Sequence, residues 1–233
     1  KQVDNNVIDA LASLATVAGL SDKYRELYNG AVINTGEKRL VLHQLCRGQL
    51  GDNVICDGAN KREFYVEQQE RIADFANKVH SGEIANEKGE KFTSVVQIGI
   101  GGSDLGPRAM YLSLENWAIK NNLKKMDAQF ISNVDPDDAS AVLKKVDVAH
   151  SIFILVSKSG TTLETLTNES FVKDALKNQG LDASKHMIAV TSETSPLAKS
   201  SDYLDAFYMD DYIGGRYSST SAVGGAVLSL AFG

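Results

Sequence analysis

Cysteine is nearly absent from this chain: Cys46 and Cys56 are the only two among 233 residues. Two thiols ten positions apart make no disulfide framework, so an apolar core must carry stability, and a reducing cytoplasm is the expected compartment. No apolar run reaches the ~18 residues needed to span a bilayer. The first residues lack the basic, apolar, small-residue order of a secretory signal. Basic charge is in deficit, with 24 Lys and Arg against 30 Asp and Glu and a net charge of −6. That balance argues against nucleic-acid or anionic-membrane partners, while leaving room for one local basic pocket. The four histidines, His43, His80, His150 and His186, show no metal-ligand spacing with one another or with the cysteines. No metal and no cofactor is expected, and each histidine reads as structural or surface.

What the chain does have is 43% hydrophobic and 23% charged residues, enough to bury a sizeable core without disorder. Up to about residue 90 the punctuation suits a helical region. Val7, Leu11, Leu14 and Ala18 recur at helical spacing before Gly19. Asn34 and Glu37 resemble a capping pair ahead of a helix carrying Leu40, Val41 and Leu45, with His43 on it. Tyr65, Ile72, Phe75 and Val79 form a further stripe ending at Ser81-Gly82.

From residue 91 onward the rhythm changes. Short β-rich runs at Val95–Ile100, Ala128–Ser132, Ile152–Val156, Met187–Val190 and Ala206–Met209 alternate with helical patterns. Pro107 opens a helix carrying Met110, Leu114 and Trp117, the last read as core; Asp135-Pro136, Thr162 and Ser195-Pro196 mark later starts. The fold class expected is α/β: an open, doubly wound, five-stranded parallel sheet of flavodoxin-like type, over residues 91–233. In such sheets ligands bind beyond the carboxyl ends of the strands, at a switch point.

Three loops occupy that position. Gly99-Ile100-Gly101-Gly102-Ser103-Asp104-Leu105-Gly106 leads from a strand into a helix, and its backbone N–H groups can face an anion. It is no dinucleotide fingerprint, because Asp104 stands where the third glycine is needed. Ser157-Lys158-Ser159-Gly160-Thr161-Thr162 gathers hydroxyls, an ammonium and a glycine at a helix start. A phosphate dianion wants such donors, whereas a P-loop requires a Gly-Lys-Ser/Thr order that is missing. Asp211-Tyr212-Ile213-Gly214-Gly215-Arg216-Tyr217-Ser218 puts two glycines before an arginine that can meet a developing oxyanion. The plainer readings are a tight turn, a polar helix cap, and an arginine paired with Asp210 or Asp211.

Together the three loops, with the Asn34–Arg47 segment, resemble the glucose-6-phosphate isomerase family in order and approximate spacing. The resemblance runs from about residue 30 to the end. It implies two sugar-isomerase subdomains, of which residues 91–233 would be the first, and interconversion of glucose 6-phosphate and fructose 6-phosphate through a cis-enediol without a metal. It also implies a sugar-phosphate partner, a place in glycolysis and gluconeogenesis, and a homodimer at full length. By position, Ser157, Ser159 and Thr162 would hold the phosphate with Lys158 alongside. Gly102 and Ser103 would line the sugar site, and Arg216 would stabilise the enediolate. Ser159-Gly160 departs from the Thr-Phe of many members and also occurs in other sugar-isomerase modules. A non-catalytic sugar-phosphate-binding regulatory module is therefore the alternative, ahead of an ordinary nucleotide-binding α/β protein. The family's glutamate base, histidine and lysine have no counterpart motif here. The chain stops in the apolar run Ala226–Phe232, so it reads as a piece of a longer protein.

Overall fold

The computed structural model describes residues 3–48 and 52–233; residues 1–2 and 49–51, inside the expected 1–90 helical region, lie outside the described residues. Helices α1 (Asn5–Val17) and α2 (Leu20–Tyr28) are followed by a 3₁₀ turn at His43–Cys46 and a small hairpin, β1 (Ile55–Cys56) and β2 (Ala59–Asn60). Helix α3 (Lys61–Ser81) then leads into the alternating part: β3 (Ser94–Ile98), α4 (Leu105–Lys120), β4 (Asp127–Ile131), α5 (Pro136–Leu143), β5 (Ser151–Val156), α6 (Leu163–Asn178), β6 (Met187–Thr191), β7 (Asp205–Tyr208) and α7 (Ala222–Phe232).

The five long strands pair in the order β4-β3-β5-β6-β7, all parallel. The expected sheet is there, each strand within a residue or two of its expected bounds. Parallel strands are covered on both faces, which is why β3, β5 and β6 are apolar almost throughout and wholly buried. Their side chains alternate between two cores. Val95, Ile152, Ile154, Ile188 and Phe207 meet α3 and α7 on one face. Val96, Ile98, Phe153, Leu155 and Ala189 meet α5 and α6 on the other. A third, smaller cluster joins Leu42, Leu45 and Tyr65 to Ile213, tying the N-terminal segment to the loop after β7.

Three expectations need correction. Asn34 and Glu37 do exchange side-chain bonds, Asn34 Nδ2 to Glu37 Oε2 at 2.9 Å and Glu37 N to Asn34 Oδ1 at 3.2 Å. They close a turn rather than cap a helix: Lys38 adopts φ 55° and Asn34 bridges to Arg39 as an antiparallel pair. His43 accordingly sits on the 3₁₀ turn instead of a long amphipathic helix. Trp117 is 58% exposed. The buried residues of α4 are Pro107, Tyr111 and Ala118, so the helix faces the core one position round from the Met110–Leu114–Trp117 stripe. Helix α1 forms as expected, with Asp4 capping it through Val7 N, but buries no residue. Both faces of the sheet are already covered by other helices, so its Leu11 and Leu14 stripe faces solvent. No helix among the described residues is long and apolar enough to cross a membrane.

The amino ends of β5 and β6 carry two histidine clamps. Buried His186 sets Nε2 2.9 Å from Glu87 and Nδ1 3.0 Å from the Ser151 carbonyl. His150 faces Asp147 at 2.9 Å and Glu90 at 3.1 Å. The hydrogen bond to Asp147, with smaller help from Glu90, raises the His150 pKa above its ordinary 6.5. A raised pKa means the folded state holds the proton more tightly, so this contribution is complete below pH 6.5 and lost as pH rises through the folded value. The urea midpoint gap between wild type and His150→Ala should therefore be widest near pH 6 and narrow on the alkaline side.

Candidate active site

The strand order reverses direction between β3 and β5, and their carboxyl ends lie side by side, with Ile98 opposite Leu155. A cavity of about 420 Å³ opens there. Its lining includes Gly102 and Ser103 from the first loop, Ser157, Lys158, Ser159 and Thr162 from the second, and Gly215 and Ser218 from the third. All three sequence motifs thus reach one site.

The second loop is held by its own polar groups. The Ser157 hydroxyl accepts the Gly160 N–H at 3.2 Å, and the Ser157 carbonyl accepts the Thr191 hydroxyl at 2.7 Å. Ser159 Oγ accepts from both the N–H and the hydroxyl of Thr161, at 3.2 and 3.1 Å. Thr162 occupies the N-cap of α6, yet its side chain makes no cap bond. The helix-cap reading required that bond. Its hydroxyl instead accepts a long bond from Ser157 Oγ at 3.4 Å, and Thr162 lines the cavity at the positive end of a 16-residue helix. Gly160, at φ 68°, occupies the left-handed region, and a Cβ there would meet Ser195 Oγ at 2.1 Å. A bulky residue is excluded at this position by the 195–197 segment, which gives the Ser159-Gly160 departure a steric basis.

The first and third loops touch backbone to backbone. A Cβ on Gly102 would lie 2.4 Å from the Gly215 carbonyl carbon, and Ser218 Oγ donates to the Gly102 carbonyl at 3.2 Å. Gly102→Ala should force this junction apart and destabilise the fold by about 1–3 kcal/mol. Thermal or urea denaturation of the variant measures it, and an unchanged midpoint would mean the contact gives way freely.

Lys158 is one-third exposed and pairs with Asp211 at 3.4 Å; Asp211 also meets Arg39 at 3.6 Å. Exposed pairs of this kind contribute little, so Lys158 can exchange Asp211 for a ligand oxygen. Asp210 points the other way, accepting from Tyr65 at 2.8 Å and pairing with Lys61 at 3.3 Å. Arg216 therefore has neither of the surface partners its plainer reading required. Its side chain is exposed and does not line the cavity, although Gly215 and Ser218 on either side do. Residue-type reasoning passed over Glu164, Met209 and Ile213, which also line it. Glu164 was visible as the second residue of α6, where an acid suits the dipole. Cys46 carries no chemistry here: burial, with Asp210 adding to it, pushes its thiol pKa to about 12.

The fold and the cavity define a class: an α/β module with a ligand-sized cavity at the switch point of a parallel sheet. Comparison with known proteins narrows it. The family model described as phosphoglucose isomerase matches residues 1–233, and the chain belongs to that family. It is 60% identical over 233 residues to the glucose-6-phosphate isomerase of Treponema denticola, covering 100% of this chain and 44% of that protein. The corresponding protein of Treponema pallidum is 54% identical over 237 residues, with the same coverage. Among solved structures, a glucose-6-phosphate isomerase from Chlamydia trachomatis superposes with a TM-score of 0.87 at 36% identity, over 100% of this chain and 44% of that one. The chain thus spans less than half the length of these relatives.

Proposed function

We propose that this chain supplies the phosphate-binding half of an aldose–ketose isomerase acting on glucose 6-phosphate and fructose 6-phosphate through a cis-enediol. The observation that carries the reading is the cavity at the β3–β5 switch point, which Lys158 lines together with Thr162, a residue at the N-terminus of α6 whose hydroxyl makes no cap bond. In this reading residues 91–233 are the first of two sugar-isomerase subdomains, and 1–90 are a helical region packed beside it. The phosphate is taken as the dianion by Ser157, Ser159 and Thr162, with Lys158 moving from Asp211 to the ligand. Gly102 and Ser103 bound the sugar.

Arg216 enters by a rotamer change. Exposed side chains rotate in picoseconds to nanoseconds, so its outward position costs the reaction no time. Once over the cavity its guanidinium stabilises the enediolate oxygen as charge develops. Proton transfer between the first two carbons needs a base, and ring opening needs an acid; this reading assigns both to residues beyond these 233. The intact gene product, working in the cytoplasm as a homodimer, should interconvert the two hexose phosphates. Residues 1–233 purified alone should not. A coupled assay on both, with host enzyme excluded, checks this. Turnover by the isolated chain would show that its base lies among the residues described above, with Glu164 the first to test.

A further inference from the structure

We propose that His43 is a positioning residue for Arg216: its Nε2 accepts the Gly214 N–H and so fixes the turn that presents the arginine to the cavity. The inference rests on reading that cavity as the isomerase site. The loop after β7 is gripped on both sides of Ile213. Before it, the Leu42 N–H donates to the Tyr212 carbonyl at 3.1 Å. After it, the Gly214 N–H donates to His43 Nε2 at 2.8 Å. Between these two bonds Ile213 is buried against Leu42 and Leu45, themselves wholly buried. The Tyr217 ring, one residue past the arginine, meets the His43 ring edge-on at 5.6 Å. A segment far away in sequence therefore determines where residues 214–217 lie, and Arg216 is inside that span.

The direction of the Gly214 bond fixes the protonation state. An N–H can donate only to a nitrogen with a free lone pair, so Nε2 is unprotonated and the neutral ring carries its proton on Nδ1. Protonating Nε2 would set a donor against a donor and release the turn. Burial lowers the His43 pKa from its ordinary 6.5, with the charges of Arg47 on its own segment and Lys158 on the phosphate loop acting in the same sense. Tyr217 faces the ring from the arginine loop, and Asp211 on that loop is paired with Lys158 and Arg39. The latch therefore stays closed through neutral pH and opens on the acid side. It couples the arginine's placement to proton concentration without His43 touching substrate.

The test compares His43→Ala and His43→Gln with wild type in the intact gene product. A misplaced catalytic group costs up to about a hundredfold, so His43→Ala should lower kcat roughly 10- to 100-fold. Competitive inhibition by inorganic phosphate, which reads the 157–162 loop, should stay within about twofold, and it also certifies that the variant is folded. His43→Gln offers an amide oxygen that can accept from Gly214 and does not titrate. It should recover most of kcat and lose the acid limb, below pH 6.5, that wild type shows in kcat with the same substrate. A His43→Ala enzyme with wild-type kcat, or a His43→Gln enzyme that keeps the acid limb, overturns the proposal. If the intact product turns over neither hexose phosphate, the isomerase reading fails. The latch is then decided by NMR on this chain: the Gly214 amide must titrate together with His43 Nε2, and an amide indifferent to that titration overturns it.

Discussion

Arg216→Ala in the intact gene product should lower kcat by about 10²–10³, the usual loss when one preorganised donor to a developing oxyanion is removed. The Michaelis constant should move little. The guanidinium does not line the cavity, and in this reading it meets the oxygen only as charge develops, so it contributes to the transition state more than to ground-state binding. Arg216→Lys keeps the charge and loses the planar fork, and should recover only part of the rate. Steady-state kinetics with glucose 6-phosphate measures both variants. A rise in the Michaelis constant with kcat unchanged would place Arg216 among the groups that merely hold the substrate.

The second large effect belongs to Thr162. Its hydroxyl caps no backbone group and has only a long contact, 3.4 Å, with the Ser157 hydroxyl. Thr162→Val keeps the β-branched shape while deleting the donor, so stability should hardly change. A hydrogen bond to a charged group contributes ~1.5–3 kcal/mol, which is roughly a tenfold to hundredfold loss of phosphosugar affinity. Ser159→Ala should also weaken binding, but less cleanly, because Ser159 Oγ holds the Thr161 turn as well. Isothermal titration of the intact product distinguishes the two. Undiminished affinity in Thr162→Val would return that residue to the role of a plain helix start.

The sheet was legible because parallel strands buried on both faces leave near-continuous apolar runs, as in Ile152–Val156, and because Asp135-Pro136 and Gly82 punctuate the helices. The convergence of the Gly102 and Ser157 loops on one cavity followed from strand order, since β3 and β5 are adjacent parallel strands, whereas the Gly215 loop comes from β7, beyond β6, and reaches the cavity by its contact with Gly102. Phase was harder to read. The Met110–Leu114–Trp117 stripe and the buried Tyr111 and Ala118 differ by one residue, and only the packing partner selects between two overlapping faces. In this turn Asn34 Oδ1 accepts the Glu37 N–H as an N-cap side chain would, while Glu37 Oε2 accepts from the Asn34 side chain rather than its backbone, so the pair alone carries no helix. The His43–Gly214 bond joins residues 171 positions apart. A lone histidine gives no sign of such a partner, though Val41-Leu42-His43 already stood out as a family-like segment.

The central claim is that the 157–162 loop with the start of α6 is a phosphate site, and titration of this chain followed by amide NMR tests it most directly. Three or four charge-assisted bonds sum to ~5–12 kcal/mol, against an association cost of at least ~4 kcal/mol. With one face of the ligand uncovered, the chain alone should bind around millimolar. Glucose 6-phosphate should shift the amides of residues 157–165, and more strongly as pH rises through the phosphate pKa of ~6. Glucose at the same concentration should leave them still. Equal shifts from both ligands, or glucose 6-phosphate shifts confined to other residues, would contradict the account.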